Sequence, residues 1–143
     1  MRRAPVVVDG EFAAAVFVVD VDGTDERQLT PMTVGLEHPQ WVPDGRRVVY
    51  EIDHAGAPGA PDNGIWTVRL NGTSRLVAAS TDDVRYMKPD FSPNGTRIIA
   101  RCERPGTGPF TEPPKNDLCV LRPNGTLITI LGTADFEDMP IWN

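Results

Sequence analysis

The chain has 143 residues, 40% hydrophobic and 24% charged, with a formal net charge of −6, which suits one folded domain and excludes a disordered chain. The acidic balance and the absence of a clustered basic face exclude nucleic-acid binding, and no apolar run approaches the roughly 18 residues of a membrane span. Thirteen glycines and fourteen prolines suit short strands joined by many turns rather than helices.

The N-terminus, Met1-Arg2-Arg3-Ala4-Pro5, is basic, but Asp9 and Glu11 soon bring in acidic charge, and the apolar stretch Ala13 to Val19 ends at Asp20. No secretory signal is read there. The chain as written is expected in the cytoplasm, or in the periplasm or outside the cell if a signal has been lost. Val6-Val7-Val8 reads as a strand after Arg2-Arg3, like Val48-Val49 after Arg46-Arg47. Val16 to Val19 reads as the next strand, and Asp22-Gly23 as the turn after it. His38-Pro39-Gln40-Trp41 then precedes a Pro43-Asp44-Gly45 turn and the β-branched run Arg47 to Tyr50. Ile65 to Leu70 leads into the Asn71-Gly72 turn and a strand over 74–78. The order repeats in Lys88-Pro89-Asp90-Phe91, Pro93-Asn94-Gly95, Arg97 to Ala100, Leu118 to Arg122, Asn124-Gly125 and Leu127 to Leu131. Met139-Pro140-Ile141-Trp142 opens it once more. Pro39 to Pro89 is 50 residues and Pro89 to Pro140 is 51, so the chain is an internal repeat.

Each turn joins two strands for a physical reason: Pro presets φ, and Gly accepts positive φ. The repeat unit is therefore four antiparallel strands, A to D, and no segment has sustained helical periodicity. Four-stranded units recurring every 40 to 50 residues point to an all-β chain of β-propeller blades.

Pro-x-Trp-x-Pro-Asp-Gly-x-x-Val-Val-Tyr, then Ile-Trp-x-Val-x-x-x-Gly, resembles the WD40-like repeat of TolB-type propellers, a repeat type also found in the propellers of prolyl-oligopeptidase-like proteins. The family's usual Ser-Pro-Asp-Gly is kept as Ser92-Pro93, while Val42 replaces Ser and Asn94 replaces Asp. The resemblance implies a six-bladed ring and a role at the bacterial envelope with a peptidoglycan-associated lipoprotein. The α/β domain that accompanies that propeller is absent from this chain, and no partner contact carries over residue by residue. The expected function is a non-catalytic scaffold for protein–protein interaction. The alternatives are a propeller remnant of an enzyme (a peptidase gating domain or a small-molecule-binding ring) or a truncated product without function of its own.

Strand counting makes the expected propeller partial. Residues 1–30 supply strands B to D of one blade, 37–78 a full blade, 87–131 another, and 139–143 strand A of the split one. Three blades do not close a ring, which takes four to eight. The missing blades come either from a longer parent or from a second copy, a homodimer sharing its split blades.

Candidate sites are few. Asp20-Val21-Asp22-Gly23-Thr24-Asp25-Glu26 lacks the later ligands of a calcium loop, and Asn71-Gly72-Thr73, Asn94-Gly95-Thr96 and Asn124-Gly125-Thr126 are glycosylation sequons that coincide with repeat turns. All read as turns. No Gly-x-Ser-x-Gly elbow, P-loop or dinucleotide fingerprint is present, so neither catalysis nor a cofactor is expected. His38 and His54 have no neighbours at zinc-site spacing, so no metal is expected. Trp41, Phe91, Trp142, Trp66 and Phe17 recur at repeat positions and read as packing. Cys102 and Cys119 fall on hairpin neighbours, where a disulfide and a pair of buried thiols are the two possibilities. The B–C loops, 51–63 and 101–116, are long and unlike each other, and with the D–A loops they emerge on one face. The expected protein-contact face there comprises Glu37, His38, Asp53, His54, Arg85, Tyr86, Arg101, Arg104, Phe110 and Lys115, with the partner itself unknown.

Overall fold

Five turns of the same chemistry punctuate the chain. In each, the glycine N–H donates to the carbonyl three residues back: Gly23 to Asp20, Gly45 to Val42, Gly72 to Arg69, Gly95 to Ser92 and Gly125 to Arg122, at 2.8–3.0 Å. The Asp or Asn before the glycine accepts from the backbone N–H two residues on, from Asp22 Oδ1 with Thr24 to Asn124 Oδ1 with Thr126. A short polar side chain that caps its own turn, next to a residue that tolerates positive φ, makes these segments hairpins before any tertiary contact forms. The Asp20–Glu26 segment is thereby a turn, with Asp22 also accepting from the Thr24 hydroxyl at 2.6 Å.

The computed structural model describes residues 6–8, 11–56, 59, 61–104 and 115–132. These form strands and no helix. Strands β6 (Leu36–Trp41), β7 (Arg47–Ile52), β8 (Gly64–Arg69) and β9 (Ser74–Ala79) make one antiparallel sheet in sequence order. Strands β10 (Arg85–Phe91), β11 (Ile98–Arg104), β12 (Lys115–Leu121) and β13 (Leu127–Leu131) make a second. Before them, β1 (Val6–Val8), β2 (Glu11–Ala14) and β5 (Thr33–Val34) form a three-stranded sheet, and β3 (Phe17–Val18) pairs with β4 (Arg27–Gln28). The ladder breaks between them near Pro31, and side chains take it over. The Thr30 hydroxyl accepts from Val16 N at 2.9 Å, and Gln28 Nε2 donates to the Thr30 carbonyl at 2.6 Å.

The first sheet differs from the repeat in register. Val6–Val8 pair with Ala13, Phe12 and Glu11, upstream of Phe17, whereas Tyr50 pairs with Trp66, the equivalent of Phe17. The valines therefore lie farther toward the loop end than Val48–Tyr50. A short apolar triplet sets a strand but not its register. Residues 139–143, including the repeat-equivalent Trp142, lie outside the described residues.

The middle sheet is buried on both faces, and the period-two alternation of strands decides which side chain serves which. Val48, Tyr50, Ile52 and Val68 pack with Val16, Leu29 and Leu36 on one side. Val42, Val49, Ile65 and Ala78 pack on the other with Tyr86, Phe91, Ile98, Ala100, Cys102, Cys119 and Leu121 of the last sheet. The repeat-equivalent aromatics diverge accordingly. Phe91 is 4% exposed against Val42 and Val49, while Trp41 is 55% exposed beside the short first sheet.

One turn of the last sheet lies against the preceding sheet. Gly125 has φ +90°, and a Cβ there would overlap the Val77 carbonyl of the preceding sheet. Gly95, at φ +69°, has nothing within 4 Å of a Cβ. Gly125→Ala should therefore lose about 3 kcal/mol, from positive-φ strain plus overlap, against about 1 kcal/mol for Gly95→Ala from backbone strain alone. Chemical denaturation of the two variants checks this; equal losses would mean that the turn does not contact the neighbouring sheet closely.

Candidate functional site

In an antiparallel A-to-D sheet, the A–B and C–D turns share one end and the B–C and D–A connections share the other. Of the expected contact residues, Asp53, Arg85, Arg101 and Arg104 lie toward the second end and are held in ion pairs. Arg85 Nη2 binds both Asp53 carboxylate oxygens, at 2.7 and 2.5 Å, and Arg85 Nη1 reaches Glu103 Oε1 at 3.1 Å. One guanidinium thus ties the connection after β7 to the last sheet, with charge-assisted bonds to two carboxylates. Arg101 Nε donates to Asn116 Oδ1 at 3.1 Å, and its Nη2 lies 3.8 Å from Glu103 Oε2. Arg104 binds Asp117, whose side chain is only 5% exposed. His54 Nδ1 accepts from Gly56 N at 3.0 Å, so its Nε2 carries the proton and donates to the Pro61 carbonyl at 2.9 Å. That ring and Asn63 stitch the 53–63 connection together.

Tyr86 is a correction to the expected face. It pairs with Cys102 in register and is 7% exposed inside the core between the last two sheets. Phe110 lies outside the described residues, and Lys115 is placed only as the first residue of β12.

Cys102 and Cys119 are joined by a disulfide, with a Cα–Cα separation of 5.8 Å. Cys102 is opposite Asp117 and Cys119 opposite Ala100, so the bond runs diagonally across the β11–β12 ladder. Both residues are fully buried. Closing the 17-residue separation contributes about 3 kcal/mol by restricting the unfolded chain.

Glu37, His38 and Glu51 form a second cluster, at the start of β6. Glu37 is directly opposite Glu51, and the register then slips before Gln40. His38 sits in the slip with φ 49°, and Lys88 occupies the equivalent slip in β10 with φ 50°. Each precedes a proline, which has no N–H to leave unsatisfied in the bulge. Residues i and i+1 of a regular strand point to opposite faces, which hides Glu37 and His38 from any spacing rule. The bulge turns them together, so that His38 Nδ1 lies 3.2 Å from Glu51 Oε1 and 3.6 Å from Glu37 Oε2. Glu51 Oε2 accepts the backbone N–H of Lys88, freed by the bulge of the next sheet. Glu51 is the buried member of this cluster. Its signal in the sequence is the hairpin at Pro43-Asp44-Gly45, which returns strand B at residue 51 beside residues 37 and 38.

No family model matches the sequence, and no curated protein matches it. Solved structures do. A putative TolB from Agrobacterium tumefaciens superposes with a TM-score of 0.60 at 22% identity, covering 89% of this chain and 46% of that one. TolB from Acinetobacter baumannii gives a TM-score of 0.64 at 17% identity, covering 92% and 32%. The fold is a partial β-propeller. The four-stranded sheets are its blades, and the chain spans less than half the length of either TolB structure.

Burial pushes the Glu51 carboxyl above the usual range, opposed by the Lys88 N–H and by His38. A carboxyl whose folded pKa is raised stabilises the fold most fully below its unfolded pKa, and that contribution is lost as pH rises through the folded pKa. Glu51→Gln keeps an acceptor for Lys88 N–H and removes the buried charge. The melting temperature of the variant relative to the parent, in metal-free buffer, should therefore rise between about pH 4 and about pH 7. A difference that falls over that range would mean that the ionised carboxylate is net stabilising.

Proposed function

We propose that the chain is a non-catalytic propeller scaffold that contacts a protein partner through the end carrying the B–C and D–A connections. The observation that carries this reading is the Asp53–Arg85–Glu103 bridge. It fixes polar side chains from two blades at one end in a single arrangement before any partner arrives, and pre-ordered side chains lose little entropy on binding. Loops on a rigid scaffold are the usual place for recognition. The opposite end carries the self-capped turns, whose polar groups are already satisfied within each turn.

A photo-crosslinking residue at Asp83, on the connection between β9 and β10, should trap a discrete protein partner in the source cell. The same residue at Asn71 or Asn94, in the turns of the other end, should not. Equal trapping from both ends, or trapping from the turns alone, would refute this assignment of the contact end.

Ring completion by a second copy is the proposal for the missing blades. It is supported by the exposure of Trp41 at 55% and Phe12 at 71% on the first-sheet side and of Leu131 at 48% on the last. Apolar faces of repeat units are normally covered by a neighbour. Light scattering should then give twice the chain mass of 15.7 kDa; a well-folded species of one chain mass would exclude the homodimer.

A further inference from the structure

We infer that Glu37, His38 and Glu51 form a three-ligand site for a divalent transition metal of the zinc type, built on the bulge of β6. One ligand atom from each residue lies within 4.8 Å of the other two. His38 Nδ1 stands 3.2 Å from Glu51 Oε1 and 3.6 Å from Glu37 Oε2. Metal–nitrogen and metal–oxygen bonds of about 2.0–2.2 Å in a tetrahedron place ligand atoms roughly 3.3–3.5 Å apart. Two edges of the triangle are thus close to the length of a coordination sphere, the third is within 4.8 Å, and the Glu37 side chain is exposed at 62%.

Three observations separate this cluster from an ordinary group of surface acids. Its central donor is an imidazole nitrogen, and imidazole with carboxylates suits zinc-like ions rather than calcium or magnesium. One of its carboxylates, Glu51, is 5% exposed in its side chain and is held by Lys88 N–H on Oε2, which leaves Oε1 aimed at His38. Such outer hydrogen bonds orient metal ligands. Like charges placed directly opposite across a ladder repel, as Glu37 and Glu51 are, and a cation between them removes that repulsion.

The bulge alone does not generate the set. The same slip recurs in β10, where Met87, Lys88 and Arg101 occupy the equivalent positions and provide no ligands. Nδ1 donates its lone pair to the metal with the ring proton on Nε2, and the fourth position is left to water. The ligands run from exposed Glu37 through half-buried His38 to buried Glu51, so an ion enters from solvent and joins strands A and B of the blade at the loop end.

The test is titration of the metal-free protein with Zn2+ by calorimetry, and with Co2+ by visible absorption, which reports tetrahedral coordination. One equivalent should bind, with a visible Co2+ band. His38→Ala should weaken binding at least about 100-fold and Glu37→Gln about tenfold, while His54→Ala leaves it unchanged. Both Glu37 and His38 reach the surface, so their variants test the site without emptying a buried position; circular dichroism confirms their fold. Failure of the parent to bind more tightly than His38→Ala, or loss of binding in His54→Ala instead, would overturn the assignment. Neither result bears on which end of the propeller meets a protein, because the crosslinking positions are not metal ligands.

Discussion

The joint between the two complete blades depends on a carboxylate that reaches across it. Glu51 takes the N–H that the bulge at Lys88-Pro89 releases from the ladder of the next blade, and on its own blade it faces His38 in the matching bulge. A buried backbone N–H without a partner is expensive, and Glu51 supplies the acceptor for the one that the Lys88 bulge frees. The bulge in turn lets strand A bend at its proline while keeping Tyr86 and Phe91 on the core face. Apolar packing supplies the bulk of the attraction between the sheets, but it is non-directional. The Glu51–Lys88 bond and the Arg85–Asp53 ion pair are directional and fix how the blades sit against each other.

The repeat was legible in the sequence because its markers act locally. A capping Asp or Asn and a glycine with positive φ make the same hairpin wherever they occur, and five turns share one hydrogen-bond pattern. Features that depend on a neighbour were not legible. Trp41 and Phe91 occupy the same repeat position, yet only Phe91 has a full four-stranded sheet behind it. Tyr86 looks like a loop aromatic until the register pairs it with Cys102 on the inward face. Val6–Val8 reads as a strand, and only the pairing with Glu11–Ala13 shows how far along the blade it lies.

The candidate site divides the same way. Asp53, just after β7, and Arg85, at the start of β10, are brought together by the topology, so placing both on one face needed only the strand order. Their direct contact depends on side-chain placement that the strand order does not dictate. Glu37 and His38 are adjacent in sequence, and a regular strand would send them to opposite faces. The residue type after them, Pro39, was visible from the start, but a bulge before proline is one of several ways a strand can accommodate a missing donor. The Cys102–Cys119 bond is intermediate: hairpin adjacency is readable, whereas the diagonal offset that lets both sulfurs meet on the core face is a matter of register.

The division also explains why one blade carries the unusual chemistry and its neighbour does not. Both blades carry the bulge before the strand A proline. At the joint between them the acceptor is Glu51, which on its own strand pair faces His38. On the outward side of the last blade the equivalent position is Arg101, a donor that cannot serve a freed N–H and that turns instead to Asn116 and Glu103. The two blades therefore present different chemistry at the same repeat position. Identical backbone repeats thus meet through non-identical side chains, and such differences give each joint of a repeat array its own preferred neighbour.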